Sequence, residues 1–308
     1  MAILAEQNVP TAPPSEHAYG PEPDQFCRVH IPAAPSPTPL PVAIVIHGGY
    51  WKQQWNINNA AHMTLAPSLV ASGAYVAVEL EYRRLGSGGG YPTTQEDAAA
   101  CLASLPGLAA AQGWAFFDFS RVVVIGHSAG GHLALWLADH AAKEASATQT
   151  AENNGDGSTS AAATGSGSMA IMPVPRLVVA IAPVADMVAA FERKLSDEGN
   201  AAELYMRCRP DDGDAASLAK YRDASPMHRL PLRVEAVVAT GAGDKDVPMD
   251  YVVAFAEAAA ACAVGGTGQP CELVRLHPDD DHYTPVNASS GSWGKIRAAM
   301  DAVVAKWG

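Results

Sequence analysis

The stretch Val122-Val123-Val124-Ile125-Gly126-His127-Ser128-Ala129-Gly130-Gly131-His132-Leu133-Ala134-Leu135-Trp136-Leu137-Ala138 runs from four β-branched residues through a glycine-flanked serine into a leucine-rich segment. The opening run predicts a strand covered on both faces, and the closing run predicts an amphipathic helix. Ser128 therefore falls on the turn between a strand's carboxyl end and a helix's amino end, with a glycine two residues to either side. A crowded turn of this kind needs neighbours without side chains, and it exposes the serine hydroxyl at the end of the sheet. The Ala129 N–H, at the helix start, then points toward any anion developing beside the serine. A βα turn that merely needs small residues carries the same pentapeptide, so the surroundings decide between the two. A phosphate cradle fits less well, because the turn has neither a GxGxxG nor a GK[ST] pattern.

Outward from this turn, buried strands alternate with helices. Val42–Gly49, Ala74–Arg83, Arg176–Asp186, Arg233–Asp244 and Cys271–Asp279 each contain a strand-like apolar run, and Phe26–Pro32 alternates like a strand. Helical patterns cover Asn58–Gly73, Thr93–Gly113 with a threonine cap at Thr93 or Thr94, Ala129–Ala145, Met249–Val264 and Trp293–Trp307. Six or seven such units predict an α/β fold with a doubly wound, mostly parallel sheet. Residues 1–18, rich in proline and small residues, are expected to be a flexible arm, and 19–308 one domain. Two segments interrupt the alternation. Residues 146–168, built from Ala, Gly, Ser and Thr without hydrophobic periodicity, are expected to be a disordered insertion. Residues 187–232 separate two strands by more than an ordinary connection and are expected to form a small helical lid over the sheet's edge.

Composition narrows the function class. The 308 residues carry a net charge of −12 with no Lys/Arg cluster, which argues against a nucleic-acid partner. No apolar run reaches the ~20 residues needed to span a bilayer, so no membrane association is expected. The five cysteines are scattered and never form a CxxC pair, which favours reduced thiols, a cytoplasmic location and no zinc site.

A serine nucleophile needs a base, and the base needs an orienting carboxylate. Asp244 sits just past the strand run Val237–Thr240 and is preferred to Asp246, a solvated turn acid. After the next strand come His277 and His282. His277 belongs to the strand end, whereas His282 follows an acidic turn and can reach back over the sheet. The run Asp279–Asp281 offers no ligand spacing for a metal, and none is expected. Gly48 and Gly49, after the strand Val42–Ile46, allow backbone N–H groups to approach a ligand closely.

These pieces resemble the α/β-hydrolase superfamily, and within it the esterase and formamidase branch that includes kynurenine formamidases (arylformamidases). The likeness is carried by His47-Gly48-Gly49-Tyr50-Trp51, Glu81-Tyr82-Arg83-Arg84, Gly126 to His132, Gly241 with Asp244 and Val247-Pro248, and Asp281-His282-Tyr283. It implies Ser128 as nucleophile, His282 as general base and acid, Asp244 as its orienting carboxylate, and Gly48, Gly49 and Ala129 as oxyanion donors. Tyr50, Trp51 and His127 are candidates to wall the substrate pocket, although Tyr50 and Trp51 could equally pack the loop against the sheet. Glu81 and Arg83 are expected to pair beneath that loop. The expected chemistry is acyl transfer through Ser128 with no metal and no organic cofactor. An aryl formamide such as N-formylkynurenine is the first substrate choice and a small-acyl carboxylic ester the second. A non-catalytic binding protein on the same fold is the rival from another class. The lid's hydrophobic faces would serve substrate access or a homodimer contact alike.

Overall fold

Runs without polar alternation must be covered on both faces, and they become the middle of the sheet. The strands are β1 (Ser15–Ala18), β2 (Phe26–His30), β3 (Leu40–Ile46), β4 (Val76–Leu80), β5 (Phe117–His127), β6 (Leu177–Ile181), β7 (Glu235–Thr240) and β8 (Cys271–Arg275). In this computed structural model, which describes residues 8–60, 64–153 and 172–307, they form one sheet in the order β1-β2-β4-β3-β5-β6-β7-β8. The six strands from β4 to β8 run parallel, and β1 and β2 join antiparallel at one edge. All seven residues of β3 and all five of β6 are buried.

The two-residue period of these strands divides the core in two. Val42, Ile44 and Ile46 face one side, with Leu102 and Leu105 of α2 (Thr93–Ala111) and Leu133 and Leu137 of α3 (Ala129–Asn153). Ala43 and Val45 face the other, with Leu65 and Leu69 of α1 (Leu65–Ala71) and Trp293, Ile296 and Met300 of α8 (Gly291–Val304). Helix α7 (Met249–Val264) connects β7 to β8.

Several expectations change. Ser15–Ala18, within the segment read as a flexible arm, pairs antiparallel with β2, and the Ala12 N–H bonds to the Ile31 carbonyl at 3.0 Å. The edge of β2 would otherwise leave peptide groups without partners. Helix α2 has no side-chain cap; Thr94 Oγ instead accepts from the Gly90 N–H at 2.9 Å and donates to the Arg83 carbonyl at 2.7 Å. Residues 146–153, placed in the insertion, continue α3, and the rest of that segment lies outside the described residues. The hydroxyls of Ser146, Thr148 and Thr150 there donate to the carbonyls of Ala142, Glu144 and Ser146, one helical turn back, at 2.9, 3.0 and 2.9 Å.

The segment between β6 and β7 forms α4 (Met187–Glu192), α5 (Ala201–Met206) and α6 (Ala215–Ala224). Because β6 and β7 are sheet neighbours, it stands over the carboxyl ends of the central strands rather than over the sheet's edge. It is fastened there. The Tyr91 N–H bonds to the Tyr205 carbonyl at 2.9 Å, and Arg207 donates to the Gly89 carbonyl at 2.6 Å.

Candidate functional site

The sheet register brings the site together. Ile46, the last residue of β3, pairs with Gly126 near the end of β5, so the turns after both strands lie side by side. His127 pairs with Ile181, and the Ser128 N–H bonds to the Ile181 carbonyl at 2.8 Å. That bond holds Ser128 at φ 55°, in the left-handed region a serine rarely adopts. The two glycines are steric requirements. A Cβ on Gly126 would lie 2.1 Å from the Gly130 carbonyl oxygen, and one on Gly130 would lie 2.2 Å from that of Ile46.

Asp244 and His282 come from the turns after β7 and β8. His282 Nδ1 donates to Asp244 Oδ2 at 2.7 Å, and both side chains are buried. The other Asp244 oxygen accepts the N–H groups of Asp246 and Val247 at 3.0 and 2.9 Å. With both oxygens engaged, the carboxylate is fixed in rotation and orients the imidazole. The His282 backbone is held too, because His127 Nε2 donates to its carbonyl at 2.9 Å. Burial, followed by the neighbouring His282, pushes His127 well below the ordinary histidine range, so it serves as a neutral donor. His277 is exposed and lies with Asp279 outside this grouping.

Gly48 and Gly49 form the opposite rim. A Cβ on Gly48 would lie 2.9 Å from Ser128 Cβ, and Gly49, at φ 107°, passes so close to Trp55 that its Cβ would lie 2.4 Å from that side chain. Their support differs from the expected Glu81–Arg83 pair. Glu81 binds Arg84 at 2.7 Å and His47 Nε2 at 3.1 Å, while Arg83 binds Asp97 at 2.6 Å. Burial pushes the Glu81 carboxyl up, but His47, the Ile57 N–H and Arg84 together more than offset this and hold it low. An ionised, fully bonded carboxylate therefore underlies the glycine loop.

Ser128, His127, His282, Gly48, Gly49 and Tyr50 all line one cavity of about 720 Å³. Ala129 is buried at the start of α3, behind Ser128. Trp51 does not wall the cavity. It is 1% exposed, stacks on Tyr205 with ring centroids 4.1 Å apart and meets His132 edge-on at 5.2 Å, so the positive φ of Trp51 turns the indole into the lid. Other parts of the wall were not anticipated: Lys52, Trp55, Asn58 and Asn59 from the loop after β3, Asp197 and Glu198 from the lid, and Tyr283. No sequence periodicity marks them.

Among the described residues, Asp244, Asp246 and His282 bring possible metal-ligand atoms within 4.8 Å of one another. The acidic run Asp279–Asp281 is not part of that group. Asp244 and His282 Nδ1 are already spent on one another, which leaves an orienting pair rather than an open ligand set.

The sequence profile of the BD-FAE family matches residues 28–258, well over half of the chain and including Gly48, Gly49, Ser128 and Asp244. The chain belongs to the BD-FAE family. Solved structures with this fold include esterase B from Lactobacillus Rhamnosis, 20% identical, covering 98% of this chain and 88% of that one with a TM-score of 0.67. Esterase LipW from Mycobacterium marinum is 22% identical over 98% of this chain and 83% of that one, with a TM-score of 0.65. A truncated carbohydrate esterase from gut microbiota is 14% identical over 98% of both chains, with a TM-score of 0.68. At these identities the likeness shows the α/β-hydrolase fold. A search of curated proteins gave no match. The BD-FAE match does not single out the formamidase branch that the HGGYW and GHSAGGHL stretches resemble. Among the described residues, no helix is long and apolar enough to cross a membrane.

Proposed function

We propose that this BD-FAE family member is a serine hydrolase that cleaves small-acyl carboxylic esters through an acyl-enzyme on Ser128. The observation that carries this reading is the 2.7 Å bond by which buried Asp244 holds His282 in the wall of the cavity that Ser128 also lines. Ser128 Oγ attacks the ester carbonyl carbon as its proton passes to His282 Nε2. The N–H groups of Gly48, Gly49 and Ala129 receive the negative charge that develops on the carbonyl oxygen. Collapse of the tetrahedral adduct breaks the bond to the leaving alcohol, which takes the proton back from His282. Water, deprotonated by His282, then attacks the acyl carbon, and Ser128 leaves with its hydroxyl restored.

An aryl formamide could use the same steps with an amine as leaving group. Its case is weakened by Trp51, which could have walled an aromatic pocket or packed the loop, and whose indole lies inside the lid packing. The test is turnover of p-nitrophenyl acetate beside N-formyl-L-kynurenine, together with mass spectrometry after treatment with a fluorophosphonate. Ester turnover and a single phosphonyl adduct, both lost in Ser128→Ala, are expected; the rate loss is at least about 10⁴-fold. Faster turnover of the formamide than of the ester would reverse the substrate order. A wild-type protein that neither turns over nor takes the adduct would be the non-catalytic binding protein.

A further inference from the structure

The cavity wall around Ser128 is charged on one side of the balance. Asp197, Glu198, Asp246 and Asp281 line it against one ammonium, Lys52, which is paired with Glu198. Asp281 is held ionised, chiefly by the Thr284 hydroxyl and N–H, with the Tyr283 N–H adding to this. Burial pushes the Asp246 carboxyl up; His282 opposes this, while Asp244, Asp197 and Asp281 reinforce it. The carboxylates therefore repel one another across the opening. Three aromatic side chains, Tyr50, Trp55 and Tyr283, stand among them. Carboxylates interleaved with aromatic faces attract a cation twice, through charge and through the ring quadrupole. Independently of these acids, the cavity opens onto a hydroxyl and an imidazole that are otherwise enclosed. Ser128 is 1% and His282 4% exposed, and both line this space, so whatever enters it meets the reacting groups.

We propose that the preferred substrates carry a fixed or protonated cationic group, an ammonium or guanidinium, on the part of the molecule that projects from Ser128 toward Asp197, Asp246 and Tyr283. This rests on the hydrolase reading above and names its substrate class. Neutral esters enter without that attraction, and esters bearing a free carboxylate are repelled. The protein's overall charge of −12 adds a long-range pull of the same sign.

The test uses two pairs of isosteres, so that a cation on either side of the ester is covered. Acetylcholine is compared with 3,3-dimethylbutyl acetate, and the p-nitrophenyl ester of 4-(trimethylammonio)butyrate with that of 5,5-dimethylhexanoate. In at least one pair kcat/KM is expected to be about tenfold higher for the cation, a ratio that shrinks as salt rises from 0.05 to 0.5 M. The same ratio is expected to fall severalfold in Asp197→Asn/Asp246→Asn; because both members of a pair are read on the same protein, a partly unfolded variant does not distort it. Ratios near one in both pairs, or a ratio unchanged by salt, overturn the proposal while leaving the hydrolase reading intact. If neither member of either pair turns over and the phosphonate adduct does not form, the hydrolase reading itself fails.

Discussion

The turn Gly126–Gly130 and the outer wall of the cavity meet at the same opening, yet they are built in different ways. The turn is local and made of backbone: five consecutive residues, two glycines whose missing side chains would strike the Gly130 and Ile46 carbonyls, and a serine held at φ 55° by β6. The wall is assembled from afar, with Trp55, Asp197, Asp246 and Tyr283 arriving from four separate connections. A site made of backbone tolerates almost no variation, whereas a wall made of loop side chains can change without disturbing the fold. The chemistry should therefore reside in the turn and its two partners, and the choice of substrate in the wall.

The sharpest way to break this division is at the acid turn, where one residue of each kind stands two positions apart. Asp244 orients His282, and Asp246 lines the cavity while giving Asp244 only its backbone N–H. Asp244→Asn is expected to lower kcat by about 10³–10⁴-fold, since the amide favours the wrong imidazole tautomer. Asp246→Asn keeps that N–H and is expected to cost less than about tenfold on a neutral ester. Steady-state kinetics on p-nitrophenyl acetate compares the two; equal losses would mean that the wall shares in the chemistry.

A second comparison sets packing against titration where the lid meets α3. His132 follows Ser128 by one helical turn, donates to the Ala224 carbonyl at 2.9 Å and touches Trp51 and Tyr205. Burial lowers its pKa to about 4, the Ala224 carbonyl opposing and Arg229 adding to the fall. The unfolded chain takes up this proton below pH ~6.5, while the folded protein does so only near pH 4. The folded state is therefore fully favoured above pH 6.5 and loses roughly 3 kcal/mol from this residue as pH falls to about 4. Thermal unfolding followed across pH 7 to 4 should show a steeper decline in wild type than in His132→Gln. Parallel curves would mean that His132 takes up its proton over the same pH range in the folded and the unfolded chain.

How much of this was legible in the sequence follows the same division. Local patterns such as Val122–Gly130 and Val42–Gly49 carry their own period and their own glycines, so the parallel sheet, the serine turn and the glycine loop could be read directly. Asp244 and His282 were legible because strand ends fix where a following turn must stand. Side-chain direction was not. Trp51 follows Tyr50 in the chain, but two successive positive φ angles send the indole into the lid and leave the phenol at the cavity. Glu81 chose Arg84 over Arg83 for a similar reason, since β4 ends at Leu80 and the alternation of a strand no longer governs the residues beyond it. Asp197 and Glu198 reach the cavity only through the path of the lid, which depends on contacts such as Trp51–Tyr205.

The smallest expected effect tests the joint between the two regions. Tyr50 leaves the glycine loop at φ 49°, and its hydroxyl donates to the Asp246 carbonyl at 2.7 Å, tying the loop after β3 to the acid turn after β7. Tyr50→Phe removes that bond and leaves the ring, a loss of about 1 kcal/mol that corresponds to roughly a fivefold change. If the tie only shapes the wall, the change falls on KM and kcat stays near wild type. If it also holds Gly48 and Gly49 at their distance from Ser128, kcat falls and the rate of phosphonylation of Ser128 falls with it, because both reactions place negative charge on an oxygen that faces those N–H groups. A loss beyond about a hundredfold exceeds what one positioning hydrogen bond supplies and would put the Tyr50 hydroxyl in contact with the reacting atoms, moving it from the wall to the centre.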